Sequence, residues 1–494
     1  MAGSHVVSDN GTALQAGRDV HIVAVEETSS EQHTRKSTSS GLLGGGGAIG
    51  VTIGSRMQST DQAITGTSAA GSTVGSVNGD VNIVAGNAYR QVGSDVMAPK
   101  GDVNIVAKDI AITEAEQRQT SETHTRFKQS GLSVSLGSAV ISAGQTAQSM
   151  AKAAGNTSDA RMQALAASAA ALNAYNQGKE IADAANALAS GNPAAAGSIS
   201  VSVGSSKSQS DSYQSGTSSR GSHVQAGGNV NLIATGAGKD SNILIQGSDI
   251  TAGKDATLIA DNQIKLQASQ DTQSDRSTNS SSSASLGAAI SPSGVGITAS
   301  SSRGKGHANS DDIRYNNTHV AAGNSVTLQS GGDTSLKGAV VSGKQVIAEV
   351  GGDLRIESLQ DSSRFEGRQQ SSGGSITVSP AGVPTGGGLN AGQSKIDSHY
   401  QSVTEQSGIQ TGDGGFQVSV KGDTHLIGGV IASTQTAVEQ GKNRFHTGGM
   451  LTTSDLHNEA SYEGQAVGVN INAGQQAGKA VVNGGGAGLV VKLQ

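Results

Sequence analysis

The chain contains no cysteine and no tryptophan, and with six tyrosines and four phenylalanines its aromatic content is 2% of 494 residues. The missing cysteine excludes disulfides, thiolate metal sites and a cysteine nucleophile together. So few aromatics leave no platform on which sugar rings could stack, which disfavours a polysaccharide-active enzyme. Proline is scarce at 5 residues while glycine reaches 71, a pairing that excludes collagen and proline-rich disorder and suits repeated β-turns. No apolar run approaches the roughly 20 residues of a spanning helix. The N-terminus MAGSHVVSDNGTALQAGRDV has neither a basic n-region nor an apolar h-region, so no export signal is visible and the chain is expected to be a piece of something longer. Net charge is −6 with 15% charged residues. The basic residues form no stripe along the sequence, which argues against a polyanionic partner and against nucleic acid.

What is present is a repeat. Between Ala226 and Ser269, short apolar runs (Val230, Leu232, Ile233; Ile243 to Ile245; Leu258, Ile259; Ile264, Leu266) alternate with Gly, Asn and Asp at turn positions, the mark of short strands and tight corners. Strands this short need neighbours carrying the same pattern. The motif GDVNIVA occurs at Gly79–Ala85 and again at Gly101–Ala107. That spacing fits one turn of a parallel β-helix, predicting columns of Val81, Ile83, Val103 and Ile105 inside, with Asp80, Asn82, Asp102 and Asn104 at corners or outside. AGRDVHIVA at Ala16–Ala24 reads as the first such unit.

Polar runs interrupt the coils at Ser30–Leu42, Ser121–Ser133, Asp271–Gly287, Asp361–Ser379 and, less clearly, His457–Asn472. Each is read as a hairpin that leaves the coil stack and returns. One hairpin encloses an Ala-rich insert with helical spacing over Gln145–Ala154, Ser158–Asn176 and Lys179–Ala189. The reading divides the chain into β-helix repeats at 1–138, the helical insert at 139–196, further repeats at 197–443, and a terminal hairpin with a Gly/Ala-rich end at 444–494. Residues after Ala473 receive no assignment beyond a possible truncated repeat. Open strand edges at both ends predict end-to-end self-association of the isolated piece.

GGGAIG at Gly45–Gly50 satisfies G-x-G-x-x-G but runs into a strand rather than a helix, so no dinucleotide site is assigned. His33 and His124 recur in paired HTR motifs and are read as a duplicated solvated hairpin, not as metal ligands. Asp80, Asp102, Asp255, Asp333 and Asp353 recur singly at turns and are read as serving those turns through local hydrogen bonds. No nucleophile elbow and no calcium-binding nonapeptide occurs. No catalytic, cofactor-binding or metal-binding residue is nominated, and no small-molecule substrate is expected.

The units AGRDVHIVA, GDVNIVA and AGGNVNLIA, the SEQHTR and SETHTR runs, the SVSLG strands, the Ala-rich insert and the SHVQAGG re-entry resemble the haemagglutinin repeats of filamentous haemagglutinin. They are similar to the second repeat block of two-partner secretion exoproteins, which include adhesins and contact-dependent growth inhibition toxins. The resemblance covers nearly the whole chain. It implies an all-β, right-handed parallel β-helix rod, an outer-membrane transporter as partner, display at the cell surface or release, and a stalk role in adhesion or toxin delivery with the receptor or glycan left open. A polysaccharide-active β-helix enzyme and a silent remnant of a longer gene are the alternatives.

Overall fold

The structure, a computed structural model, describes residues 1–44, 50–137, 198–291, 294–476 and 479–493. The helical insert with its three expected helices, and all of the GGGAIG string except Gly50, lie outside those residues. Strict alternation sets the coils: Val81–Ala85 and Val103–Ala107 bury every second residue, and Val81, Ile83, Val103 and Ile105 are each 0% exposed. Val103 pairs with Val81 and Ile105 with Ile83 in parallel register, so the expected columns exist. Outside, Asn231 Nδ2 donates to Asn104 Oδ1 at 2.7 Å and Asn104 Nδ2 to Asn82 Oδ1 at 2.9 Å, an amide ladder on the solvent side of the same strands.

The architecture is a parallel β-helix with three faces. Face one runs through His5–Ser8, Thr73–Ser76, Asp95–Ala98, His223–Ala226 and Asp249–Ala252, and face two through Thr12–Ala16, Val81–Ala85, Val103–Ala107, Val230–Ala234 and Ala256–Ala260. Both continue upward, and two strands, Ala339–Val350 and Gly408–Val420, run round the corner so that the faces join in one sheet. Face three is a separate nine-stranded sheet, one strand per coil. AGRDVHIVA departs from its expected place: Thr12–Ala16 pairs with Val81–Ala85 on face two, while Val20–Val23 pairs with Ala88–Val92 on face three. All three faces alternate alike, so the local pattern does not say which face a strand joins.

A hairpin leaves the stack after the face-three strand of every second coil. The strand pairs Val25–Gly44 with Gly50–Ala70, Ala115–Gly137 with Ser198–Arg220, Ser269–Ser291 with Gly294–Asn316, Asp361–Val378 with Pro384–Ser402, and Glu459–Gln476 with Lys479–Leu493 are antiparallel. Neighbouring hairpins also pair with each other, giving one ten-stranded antiparallel sheet. Spacing explains why this works. Two coils advance the rod by about 9.6 Å, the width of the two strands that a hairpin contributes to its own sheet.

Corners without an excursion are closed by glycine in the left-handed region: Gly93 (φ 52°), Gly247 (φ 52°), Gly338 (φ 64°) and Gly428 (φ 56°), a conformation that L side chains rarely adopt. At several corners of both kinds a buried hydroxyl ties the turn. Ser94 Oγ donates to Val92 O at 2.9 Å and Ser248 Oγ to Gln246 O at 2.7 Å across tight corners. Across excursions, Ser72 Oγ donates to Val23 O at 2.8 Å, Ser222 Oγ to Thr113 O at 2.8 Å and Thr318 Oγ1 to Gln267 O at 2.6 Å. The same hydroxyls accept backbone N–H groups from the coil below: Ser72 N to Ser94 Oγ at 3.0 Å, Ser94 N to Ser222 Oγ at 3.1 Å and Ser222 N to Ser248 Oγ at 3.0 Å. Each is nearly or fully buried, where an unpaired donor would cost about 1–3 kcal/mol.

The apolar core is drawn from the coils alone among the described residues. Tyr89, fully buried, donates its hydroxyl to Gln91 Oε1 at 2.8 Å, and burial pushes its phenol well above the ordinary range. No helix among the described residues is long and apolar enough to cross a membrane.

Candidate functional site

The five recurring aspartates act between coils rather than within their own turns. Asp80 Oδ1 accepts from Asp102 N at 2.8 Å, Asp102 Oδ1 from Asn229 N at 2.7 Å and Asp255 Oδ1 from Ser325 N at 3.0 Å. Asp333 Oδ1 accepts from Asp353 N at 2.9 Å and Asp353 Oδ1 from Asp423 N at 2.7 Å. The local-turn reading is therefore corrected: each carboxylate takes the amide that the next coil presents about 4.8 Å away, because a tight corner breaks the regular ladder there.

His33 and His124 are likewise not equivalent. Gly41 and Gly131 share a register row through Gly54, but His33 lies eight residues before Gly41 and His124 seven before Gly131. One residue of difference turns the side chain to the opposite face. Thr34 rather than His33 shares the row of Asp61 and His124. His124 Nδ1 bonds Asp211 Oδ1 at 2.7 Å and its Nε2 bonds Glu122 Oε1 at 3.0 Å, and the Asp211 bond holds its pKa above the ordinary histidine value. His33 Nε2 reaches Glu31 Oε2 at 3.3 Å.

A charged ladder that the sequence reading missed climbs face one. His223 Nδ1 bonds Asp95 Oδ1 at 2.9 Å, His319 Nδ1 bonds Asp249 Oδ1 at 3.0 Å, and His319 Nε2 bonds Glu405 Oε1 at 3.0 Å. The Asp249 bond, with Glu405 adding to it, raises His319 to about 9. Its sequence signal is the recurrent G-S-[HTD]-V at Gly3, Gly71, Gly93 and Gly221, where the third position faces outward beside its counterpart in the next coil. Among the described residues no group of three or more His, Asp and Glu is placed to hold a metal ion.

The most distinctive surface belongs to the hairpin sheet. Residues directly opposite across an antiparallel pair share a face, as do residues two apart on one strand. One row runs Thr38, Met57, Lys128, Lys207, Ser282, Arg303, Ser372, and the next toward the hairpin bases runs Lys36, Ser59, Arg126, Gln209, Ser280, Lys305, Gln370. Six cations and no carboxylate thus occupy two adjacent rows. All six are exposed. None makes an ion pair with another described residue. The two rows border an open groove of ≈ 1020 Å³. The expectation that the basic residues do not cluster is corrected here: they are far apart in sequence, and the sheet register gathers them.

Toward the tips on the same face, a row of Ser40, Ser55, Ser130 and Ser205 comes next, and then an apolar row of Leu42, Ile53, Leu132, Val203, Leu286, Ala299 and Ile376. Its large members stand in solvent, Leu42 at 75%, Val203 at 61% and Leu286 at 61% exposure.

Comparison with known proteins agrees with the architecture. The hemagglutinin repeat family matches residues 1–75, 53–178 and 203–374. A tRNA nuclease CdiA of Escherichia coli is 37% identical over 490 residues, spanning 97% of this chain and 14% of that protein. A 16S rRNA endonuclease CdiA of Enterobacter cloacae is 38% identical over 493 residues, spanning 97% and 14%. A deoxyribonuclease CdiA of Yersinia pseudotuberculosis is 36% identical over 482 residues, spanning 97% and 44%. The chain therefore corresponds to less than half the length of each of these relatives. No solved structure matches it. With its coils, paired hairpins and sequence matches taken together, the chain belongs to the hemagglutinin repeat family of large bacterial exoproteins.

Proposed function

We propose that this chain is a rigid, non-enzymatic stalk segment of a bacterial exoprotein that carries a C-terminal toxin toward neighbouring cells. Export through an outer-membrane two-partner transporter and display at the surface, or release, belong to the same reading. The observation that carries it is the unbroken buried column, in which residues such as Val81, Val103, Val230 and Ala256 sit at one register position coil after coil. At about 4.8 Å per coil, nine coils make a rod segment roughly 40 Å long, held by backbone ladders that do not depend on any ligand. The nuclease and toxin names belong to relatives that extend well beyond the matched region, which supports placing the activity elsewhere in the parent protein.

The test is an in-frame deletion of this whole segment from a full-length exoprotein that contains it. Retained surface display with lost inhibition of neighbouring bacteria is the expected result; undiminished inhibition would overturn the stalk reading. Reproducible release of reducing sugar from a polysaccharide by the isolated chain would overturn its non-enzymatic part.

A further inference from the structure

We infer that the cation-bearing face of the hairpin sheet docks on an anionic lipid surface, with Lys36, Arg126, Lys128, Lys207, Arg303 and Lys305 at headgroup level and the apolar row beyond them dipping into the acyl boundary. Three features of the face argue for this occupant. The cations span six adjacent strands, a band about 24 Å wide. None forms an ion pair with a described carboxylate, although Arg126 lies close enough to Asp211 in the next row toward the bases to lower its pKa, so most of the band's charge is available to an external anion. The apolar row lies four residues further along each strand, about 14 Å away, with small serines between. Aliphatic side chains projecting beyond a basic belt match the depth profile of an interfacial bilayer contact, in which basic residues stay with phosphates while apolar ones enter the hydrocarbon edge.

Charge complementarity decides among the possible occupants. A second copy docked face to face would set one cation band against another, which disfavours that pairing. A nucleic acid would satisfy the cations but leave Leu42, Ile53, Leu132, Val203, Leu286 and Ile376 without a counterpart. Only an amphiphile with anionic headgroups answers both rows.

The inference goes beyond the stalk reading and is tested on the 494-residue chain alone, so its failure leaves the deletion phenotype above untouched. Co-sedimentation is measured with vesicles of phosphatidylcholine and with vesicles containing about a third phosphatidylglycerol, where each basic residue near the surface strengthens binding severalfold. Anionic vesicles are expected to hold the chain at least about tenfold more tightly than neutral ones, and R126Q/K128Q/R303Q/K305Q to lose most of that difference. K128R/K207R/K305R, which keeps the charge, should bind as wild type, and K108Q/K254Q/K421Q, which removes exposed cations from the coils, should leave binding unchanged. L132S/V203S/L286S should bind at low salt and release at high salt. All substituted side chains are exposed, and unaltered far-ultraviolet circular dichroism confirms the fold of each variant. Equal binding to both vesicle types, or a charge-removal variant that binds like wild type, overturns the inference. So does displacement of the chain from vesicles by a short oligonucleotide at equal phosphate concentration, or a dimer in the absence of lipid that L132S/V203S/L286S dissociates.

Discussion

The coils and the hairpin sheet use the same interstrand spacing but are held by different forces. In the coils, every second side chain enters a dry column, and residues such as Ile105, Leu232 and Leu258 are fully buried. In the hairpin sheet no described residue joins the core. Its strands are linked by backbone ladders and by hydroxyl pairs such as Thr217–Thr272 at 2.8 Å, Ser283–Ser302 at 2.7 Å and Ser285–Ser300 at 2.7 Å. A long sheet with no core of its own has weakly specified register. Here the register is set from outside, because the rod plants each hairpin base two coils from the next. The hairpin face is thereby freed from packing and can carry charged and apolar rows that a core would not allow.

The largest expected effect comes from breaking that spacing. Removing residues 71–92, one coil without an excursion, would bring the first two hairpin bases to about 4.8 Å apart, half the width they need. Hydrogen exchange should then show lost amide protection in 50–70 and 115–137, while 230–234 and 256–260 stay protected. Removing residues 71–220, two coils and one hairpin, should restore protected pairing between the remaining hairpins; exchange as fast as in the single-coil deletion would refute the argument from spacing.

A second test compares the two regions by one truncation in each. Ile105→Ala should destabilise its coil by about 2–5 kcal/mol, whereas Leu132→Ala, at an exposed site, should stay within about 0.5 kcal/mol. Exchange protection of 103–107 and of 115–137 reads the two effects separately, which matters because long repeat arrays need not unfold in one step. Equal losses at the two sites would show that the hairpin sheet has a packing partner.

The smallest effect lies where the regions meet. His319, on face one, bonds Asp249 and also Glu405, which follows the hairpin strand Pro384–Ser402. Its folded pKa of about 9 lies above the unfolded value near 6.5. The stabilisation is therefore complete below about pH 6.5 and is lost as pH rises through about 9. Both bonds are more than a third exposed, so about 1 kcal/mol or less is at stake. A denaturant midpoint for protection of 318–322 that falls between about pH 6.5 and pH 9 in wild type and is flat over that range in His319→Gln is expected; a fall of the same size in the variant would assign the pH dependence to another group.

Much of the coil architecture was legible because the buried period of two is written directly in Val81, Ile83, Val103 and Ile105. The hairpins showed as polar runs of the right length. Three features were not legible, each for a physical reason. AGRDVHIVA resembles GDVNIVA because every face buries the same alternation, so face assignment needs the closed coil. The HTR motifs match in sequence yet face opposite ways, because similarity does not count the residues to the next fixed glycine. The basic rows join Lys36 to Arg303 and Lys305 across six strands, and no window along the chain contains that adjacency. The terminal strand Lys479–Leu493 was obscured by its glycines, which blur strand alternation. By contrast the G-S signal was present in the sequence at Gly93 and Gly247, where a positive-φ glycine followed by a buried hydroxyl gives it a mechanism.

The corner hydroxyl makes the same bond whether one residue or more than a hundred separate its partners: Ser94 reaches Val92, and Ser222 reaches Thr113. For the gene, this position is a port. Material inserted there leaves both ends of the coil where they were, so its length and composition can drift under selections unrelated to the rod. A reading frame built this way can exchange what it displays without re-solving how it stands.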